Sequence, residues 1–422
     1  MKLSEYVALA VASETTYGVP PEDLSTSYLG VICQEAQVAP KSTSIERKFN
    51  RRTFTQLAPL QAKQYTEISF STEIKGVNSS TLPSGEGVLH RLLYAAGFIG
   101  KTSPIRWCEL ANGDNDFEVS PYQSVWLVED HAGTPVNRPA RVVGMVRRKR
   151  SAGDTSQNDF LVLEFFGVQP AGTLNKSKTQ ELYSDSNSAP SSTKIATLAT
   201  SNGHAIIDMA TALAPCGDLA LNQANSISLA YFLDDILHLT PGVLGSVSLS
   251  LSDAAPFTAK FSFSGLYSQP MYHVAPDIVF NEHQPPPPAP ASFSIFSGGV
   301  SYAPQLISLE YNHGCEVKIK GDLNLDNGIG GVYIANRKST FKLSIGVDSI
   351  DSFNPWSKWT AGTELTASFV QGYATVGNRV AVLLPKLVIT AISYSDKDGE
   401  TIYNIDAIPT GNDDDEIVIA FG

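Results

Sequence analysis

The chain has 422 residues, and at about 150 residues per domain that length corresponds to between two and three domains. Its 30 Lys and Arg stand against 42 Asp and Glu, a net charge of -12, with 42% hydrophobic and 17% charged residues. These values suit globular cores and exclude a collagen-like or wholly disordered chain, and the acidic balance argues against a protein built to hold nucleic acid.

At the N-terminus, Lys2 and the apolar run from Tyr6 to Ala12 imitate a signal peptide. The run is short and Glu5 sits at its border, so it reads as a short buried helix or strand. No apolar run approaches the roughly 20 residues that a membrane span requires. Ile68, Phe70, Thr72 and Ile74 then alternate with Glu67, Ser69, Ser71 and Glu73. That period of two is a strand with one buried and one wet face. Ser84 is placed to cap a helix carrying Val88, Leu89, Leu92 and Leu93, stopped by Gly97. Further strands follow around Val125–Val128, Val142–Met145, Phe160–Val168 and Ile195–Ala199, separated by polar loops.

Val247, Leu249 and Leu251 alternate with serines, and Phe257, Ala259, Phe261 and Phe263 form a third such face. Pro285–Pro288, extended by Pro290, reads as an extended polyproline connector. Phe341, Leu343, Ile345 and Val347 make another strand. Asn354 and Pro355 start a second helix, with Trp356 and Trp359 on it and Gly362 at its end. Asp398-Gly399 is a hairpin turn leading into the strand of Tyr403, Ile405 and Ala407. The class is mainly β, with short helices. Cys33, Cys108, Cys216 and Cys315 are scattered, which suits free thiols in a reducing compartment and excludes a disulfide framework.

The order strand, short helix, strand, strand, strand occurs twice. Ile68–Ile74 matches Phe341–Val347, ISLAYFL at 227–233 matches ELTASFV at 364–370, Val247–Leu251 matches Leu387–Ala391, and Phe257–Phe263 matches Thr401–Ala407. Chance similarity of simple β patterns is the competing explanation. Gly97 and Gly362 lie 265 residues apart but Ala230 and Ala367 only 137, so the first copy holds about 128 extra residues. The expected organisation is a first unit over 1–103 and 222–283, an inserted β module over 104–221, a linker at 284–290, and a second unit over 291–422.

No motif carries chemistry. GFIGKT at 97–102 has Ala95 where a phosphate-binding loop needs Gly, and it follows a helix instead of preceding one. DLNLDNG at 322–328 opens like a calcium loop, but its glycine comes one residue late and its twelfth position is Tyr333. It reads as a turn. Asp413–Glu416 reads as a solvated acidic loop and Arg147–Arg150 as a solvated basic one. Asn78-Ser79-Ser80 matches a glycosylation acceptor but lacks a secretion signal to support it. His90, His131, His204, His238, His273, His283 and His313 never fall in ligand spacing, and there is no GxSxG elbow. The reading is of a protein with no cofactor, no metal and no catalytic residues.

Several stretches together resemble the bacteriophage tail tube (major tail) proteins. They are ETTYG at 14–18, RTFTQLAPLQAKQYTEISFSTEIKG at 52–76, GVLHRLLYAAGF at 87–98 and YFLDDILHLTPGVLGSVSLSLSDAAPFTAKFSFSGLY at 231–267. LISLEYNHGCEVKIKGDLNLDNGIGGVYIANRKSTFKLSI at 306–345 and ITAISYSDKDGETIYNIDAIPT at 389–410 continue the resemblance, which covers the chain outside 104–221. It implies tail-tube-type sandwich or barrel units whose sheet edges meet those of neighbouring copies in stacked rings, in the virion tail, after assembly in the host cytoplasm. DNA passes through the bore without specific binding. The implied partners are copies of the chain itself, the tape measure, the baseplate or tip, and the terminator, with no membrane. With two units per chain, three chains make a ring of pseudo-sixfold symmetry; with one, six chains do. The wall strands are expected to be those of Ile68, Phe70, Ile74, Val247, Leu249, Phe261, Phe263, Phe341, Leu343 and Ile389. The competing function is a virion adhesin or carbohydrate-binding β protein, which exposed Trp107 and Trp126 on the insertion would serve.

Overall fold

A computed structural model describes residues 7–47, 58–75, 87–100, 105–109, 123–131, 134–146, 160–166, 180–184, 194–198, 206–208, 211–253, 255–276, 278, 292–297, 300–325, 327–371, 380–412 and 414–421. Ser84, Asn78–Ser80, Lys101, Thr102, Arg147–Arg150, Pro285–Pro290, His204, His283 and Asp413 lie outside the described residues.

The chain opens with β1 (Val7–Ser13), β2 (Leu29–Val31), β3 (Gln34–Ile45), β4 (Leu60–Glu73), α1 (Val88–Ala95) and β5 (Phe98–Gly100). Seven strands follow: β6 (Ile105–Glu109), β7 (Ser124–His131), β8 (Thr134–Val146), β9 (Phe160–Phe165), β10 (Gln180–Tyr183), β11 (Lys194–Leu198) and β12 (Ile206–Asp208). Next come β13 (Thr211–Pro215), α2 (Leu219–Ala224), β14 (Ile227–Leu233), β15 (Ile236–Ser252), β16 (Thr258–Leu266) and β17 (Met271–Tyr272). The rest comprises β18 (Ser292–Ser297), β19 (Val300–Tyr302), β20 (Leu306–Asn312), β21 (Cys315–Gly321), β22 (Ile329–Arg337), β23 (Thr340–Gly346), α3 (Pro355–Ala361), β24 (Leu365–Gln371), β25 (Val380–Lys397), β26 (Glu400–Pro409) and β27 (Val418–Phe421). The architecture is mainly β, with three short helices.

One antiparallel sheet dominates, in the order β3-β4-β16-β15-β20-β23-β26-β25. Two smaller arrays continue from it, β2-β1-β14-β15-β17 and β19-β18-β24-β25-β27-β13-β5. The strands β15 and β25 belong to both kinds of array because each changes partners midway. In β15 the change comes at Thr240-Pro241-Gly242, with a bulge in the pairing to β14 and Gly242 at φ +63°. In β25 it comes at Pro385, with a matching bulge against β24. Proline has no N–H to donate, so the ladder breaks there and the strand bends into the second layer.

The pairing pattern occurs twice. The set β1, β2, β3, β4, α1, β14, β15 and β16 has the same order and partners as β18, β19, β20, β23, α3, β24, β25 and β26. The sequence match of Ala230 to Ala367 is one residue out of register. Ile227, Leu229 and Tyr231 face the main core, as do Leu365, Ala367 and Phe369, whereas Ala230 and Phe232 face a separate cluster on the other side of β14. Leu229 therefore corresponds to Ala367. Likewise Val243, opposite Ile227, corresponds to Leu387, opposite Leu365, and not to a residue near 383.

Between the layers lies a core that holds Phe70, Phe261 and Phe263 from the first set together with Phe341, Leu343 and Ile405 from the second. Phe261 stacks on Phe263 at 5.3 Å and Phe70 lies 5.5 Å from Phe261. The helix α1 packs Val88, Leu89, Leu92 and Leu93 into this core, but its N-cap is Gly87 without a side-chain cap, not Ser84. The helix α3 matches its sequence reading: Asn354 accepts from Ser357 N, Pro355 occupies the first turn, and Gly362 ends it at φ +60°.

The seven strands β11-β10-β7-β8-β9-β6-β12 form their own sheet. Glu129 sits at its centre, 0% exposed, held by Arg106 and, at 3.3 Å, by Arg138. Both guanidiniums lie over the Phe165 ring. The strand β8 packs against β18, β24 and β25. It covers the side of that array where Ser294, Thr366 and Ser368 are buried, so the module lies against the body of the chain. The corresponding side of the first set, Ala10, Ala12, Ala230 and Phe232, is covered instead by Tyr28 and Leu24. The strand β13 pairs with β5 and β27 and takes no part in the seven-stranded sheet.

Candidate assembly surface

The alternation read from the sequence puts apolar side chains on one side of the eight-stranded sheet and hydroxyls on the other. Ile68, Phe70, Ile74, Val247, Leu249, Phe261, Phe263, Phe341, Leu343 and Ile389 are each at most 4% exposed and all point into the common core. Nine of them lie on strands of the large sheet and Ile74 directly follows β4. They join the layers through the core, and none presents a side chain to solvent.

The opposite side of the sheet is a field of small polar residues. Ser252, Ser308, Ser344, Asn404 and Ser393 lie side by side across β15, β20, β23, β26 and β25. Ser344 Oγ donates to Asn404 Oδ1 at 2.8 Å, and Asn404 Nδ2 donates to Ser395 Oγ at 2.6 Å. A second row runs Thr258, Ser250, Glu310, Lys342, Asp406, and a third runs Ser71, Lys260, Ser248, Asn312, Thr340. Acidic and basic residues alternate here, and Lys41 lies 3.6 Å from Glu67, so neither sign dominates.

Among the described residues, this sheet has two edges without a partner strand. One is β3, on which Glu35, Gln37 and Pro40 are exposed; the other is the distal part of β25, where Ser393, Tyr394, Ser395 and Asp396 are exposed. Above that second edge, Trp356 lies 5.7 Å from Tyr394 and donates through Nε1 to its hydroxyl, while Trp359 Nε1 donates to Thr390 O. The sequence reading did not single out either edge. Strand β3 shows little alternation because only Ala36 and Val38 pack against the core, while most of the strand is exposed.

The motif ETTYG has a structural role. Glu14 is 7% exposed and accepts from Ser226 Oγ, Ser228 Oγ, Gly242 N and Gly18 N at 2.6–2.7 Å. It ties β1 to the point where β15 changes layers. The Tyr17 hydroxyl reaches Gly242 O and the backbone of Val332 on β22, and burial pushes it up to about 12.

The acidic loop before β27 is not simply solvated, as the sequence suggested. Arg337 grips both Asp414, at 2.7 Å, and Glu416, and Gly217 N donates to Asp414. At the position resembling a calcium loop, Asp322 Oδ1 accepts from Asn324 N in a turn between β21 and β22. Among the described residues, no three His, Cys, Asp or Glu lie close enough to hold a metal ion. None of the four cysteines forms a disulfide. Trp126 is half-buried on β7, and the Trp107 side chain lies outside the described residues.

A scan against protein families matches residues 7–421 to the family described as phage tail tube protein. A search of curated proteins found no match.

Proposed function

Because the chain belongs to the phage tail tube family, and is thus a structural protein of the virion tail that self-assembles and associates with other tail proteins, we propose that it closes into three-chain rings that stack into the tube and let DNA pass. Each chain carries two tube-forming units, the first over 1–103 and 222–283 and the second over 291–422, joined by the linker at 284–290, with a decorating module inserted in the first. Assembly takes place in the host cytoplasm. The tape measure, baseplate or tip, and terminator meet the finished tube.

The observation that carries this reading is the eight-stranded sheet with two free edges, since closing a ring removes edges that otherwise invite uncontrolled pairing. Its size favours three chains. With strands about 4.8 Å apart and tilted by about 40°, a closed barrel of ~24 strands measures about 48 Å between backbones. By the same geometry ~16 strands give about 32 Å, and side chains narrow that nearly to the ~20 Å width of a DNA duplex, while ~48 strands give about 96 Å. Three chains leave a bore that admits DNA with a layer of water.

The hydroxyl rows then line the bore. Ser, Thr and Asn hydrate well, and the balanced Glu and Lys supply no basic track to release counterions from DNA, so the duplex slides without sticking. The module over β18 and β24 lies on the far side of the chain from this face, pointing outward from the tube.

Electron microscopy of the purified protein tests the reading. Hollow tubes with threefold symmetry in each ring are expected. Sixfold rings of identical chains would overturn the three-chain count, and discrete particles that bind glycans would overturn the tube itself.

A further inference from the structure

Resting on that ring-forming role, the geometry points to a defined join between chains. We propose that β3 of one chain pairs antiparallel with the distal part of β25 of the next, Val38 opposite Tyr394, in the register already used within the chain by β15 and β20.

The internal repeat sets the register. Phe263 pairs with Ile68 as Ala407 pairs with Phe341, and Ile68 pairs with Val38 as Phe341 pairs with Tyr311. Val38 therefore stands where Tyr311 does. Along the other strand, Leu249 opposes Ala259 as Tyr394 opposes Tyr403. Tyr394 therefore stands where Leu249 does. Within the chain Leu249 opposes Tyr311, and Ser248 opposes Asn312. Transferring that pairing places Tyr394 opposite Val38, Ser393 opposite Ala39 and Ser395 opposite Gln37, and it brings Lys397 to the bulge at Glu35 and Ala36, where β3 gains one residue against β4.

Burial supports the transfer. Leu249 is 1% exposed and Tyr311 0%, whereas Tyr394, with the same place in its own unit, is 55% exposed and neighbouring Trp359 is 47% exposed. Among the described residues, what distinguishes the two positions is a strand beside β15 that the distal part of β25 does not have. The partner for that place is β3, whose outer edge is uncovered. The join also brings opposite charges together at Lys397 and Glu35. Lys397 already lies 3.6 Å from Asp253, so Glu35 extends an existing pair.

Pro40 sets one end of the ladder. Its counterpart His313 donates N–H to Val247 O, a bond that proline is unable to make. An outward-facing proline is tolerated on an edge strand, and the bonds fall to Val38 and Ala36 instead. Ser393 and Ala39 then form a non-hydrogen-bonded pair with Cα atoms about 4.5 Å apart, inside the range a disulfide spans.

The test is oxidative cross-linking of the double variant Ala39→Cys and Ser393→Cys during assembly, with each single variant and the wild type as controls for the native thiols. A covalent series that stops at the trimer is expected, alongside tubes of normal appearance. The shifted pair Gln37→Cys with Ser393→Cys is expected to cross-link at least tenfold more slowly. Normal tubes in which the shifted pair links faster, or neither pair links, would overturn the register while leaving the tube reading intact. Absence of tubes from the wild type would overturn the tube reading itself. Should the cysteine variants not assemble, the charge pair decides: Glu35→Lys is expected to slow tube formation and Glu35→Lys with Lys397→Glu to restore it. Equal assembly of the single and double charge variants would count against the join.

Discussion

Glu14 shows how one side chain can fix a layer change. A carboxylate this deep in the protein is tolerable only because four donors surround it. Of those donors, Ser228 lies on β14 and Ser226 directly precedes it, one is Gly242 at the turn in β15, and one belongs to the loop that carries Tyr17. Removing the carboxylate leaves Ser226 and Ser228 hydroxyls and two backbone N–H groups without their acceptor in a dry site. Glu14→Ala is therefore expected to destabilise the protein by about 2–4 kcal/mol, read as a lower denaturant midpoint with an unchanged slope. A loss below about 0.5 kcal/mol would mean that water already reaches the site. The sequence offered ETTYG only as part of a family resemblance. Nothing local to a five-residue motif tells that its glutamate bonds residues more than two hundred positions away.

Among the elements, legibility followed burial. Strands with one wet face, such as β4, β16 and β23, were read in the right place and phase because alternation marks which residues face the core. The strands β14 and β24 are buried on both faces, so ISLAYFL and LTASFVQ carry no alternation to fix their phase, and the match between them slipped by one residue. Strand β3 failed for the opposite reason: it is polar and exposed along most of its length, so no apolar alternation marks it. The helices divide similarly. The cap of α3 was visible because Asn354, Pro355 and Gly362 each act through local backbone chemistry, whereas α1 starts at Gly87 and owes its position to the core. Asn354→Ala should cost about 1 kcal/mol, measured by thermal or chemical unfolding, since the Ser357 amide loses its acceptor. No measurable change would show that packing of Trp356 and Trp359 on β25 alone holds this helix.

At the scale of the whole molecule, the two repeated sets are stitched together. The pair β15–β20 joins them in the large sheet, and β13 and β5 extend the array of β27. Two buried histidines sit on this seam. His90 of α1 lies 5.0 Å from Phe421 of β27, and His313 stacks at 4.3 Å on Phe98 of β5 while its Nδ1 meets the Tyr311 hydroxyl at 2.8 Å. Burial lowers His90 to about 4, and burial, with the nearby Arg337 charge, holds His313 well below its ordinary value of 6.5. Both rings are therefore neutral in the folded chain. In the unfolded chain they take up protons near pH 6.5. Because the folded values are depressed, their contribution is fully present above about pH 6.5 and is lost as the pH falls from there toward about 4. Charging either ring places a cation between the two repeated strand sets, so the loss should appear as one cooperative transition moving to lower temperature, not as separate melting of two halves. Calorimetry between pH 7.5 and 4.5 measures this. His90→Leu should flatten the pH dependence in that window, because leucine has no proton to take up. An unchanged slope in that variant, or two resolved transitions in the wild type, would remove the histidines, or the seam, from the account.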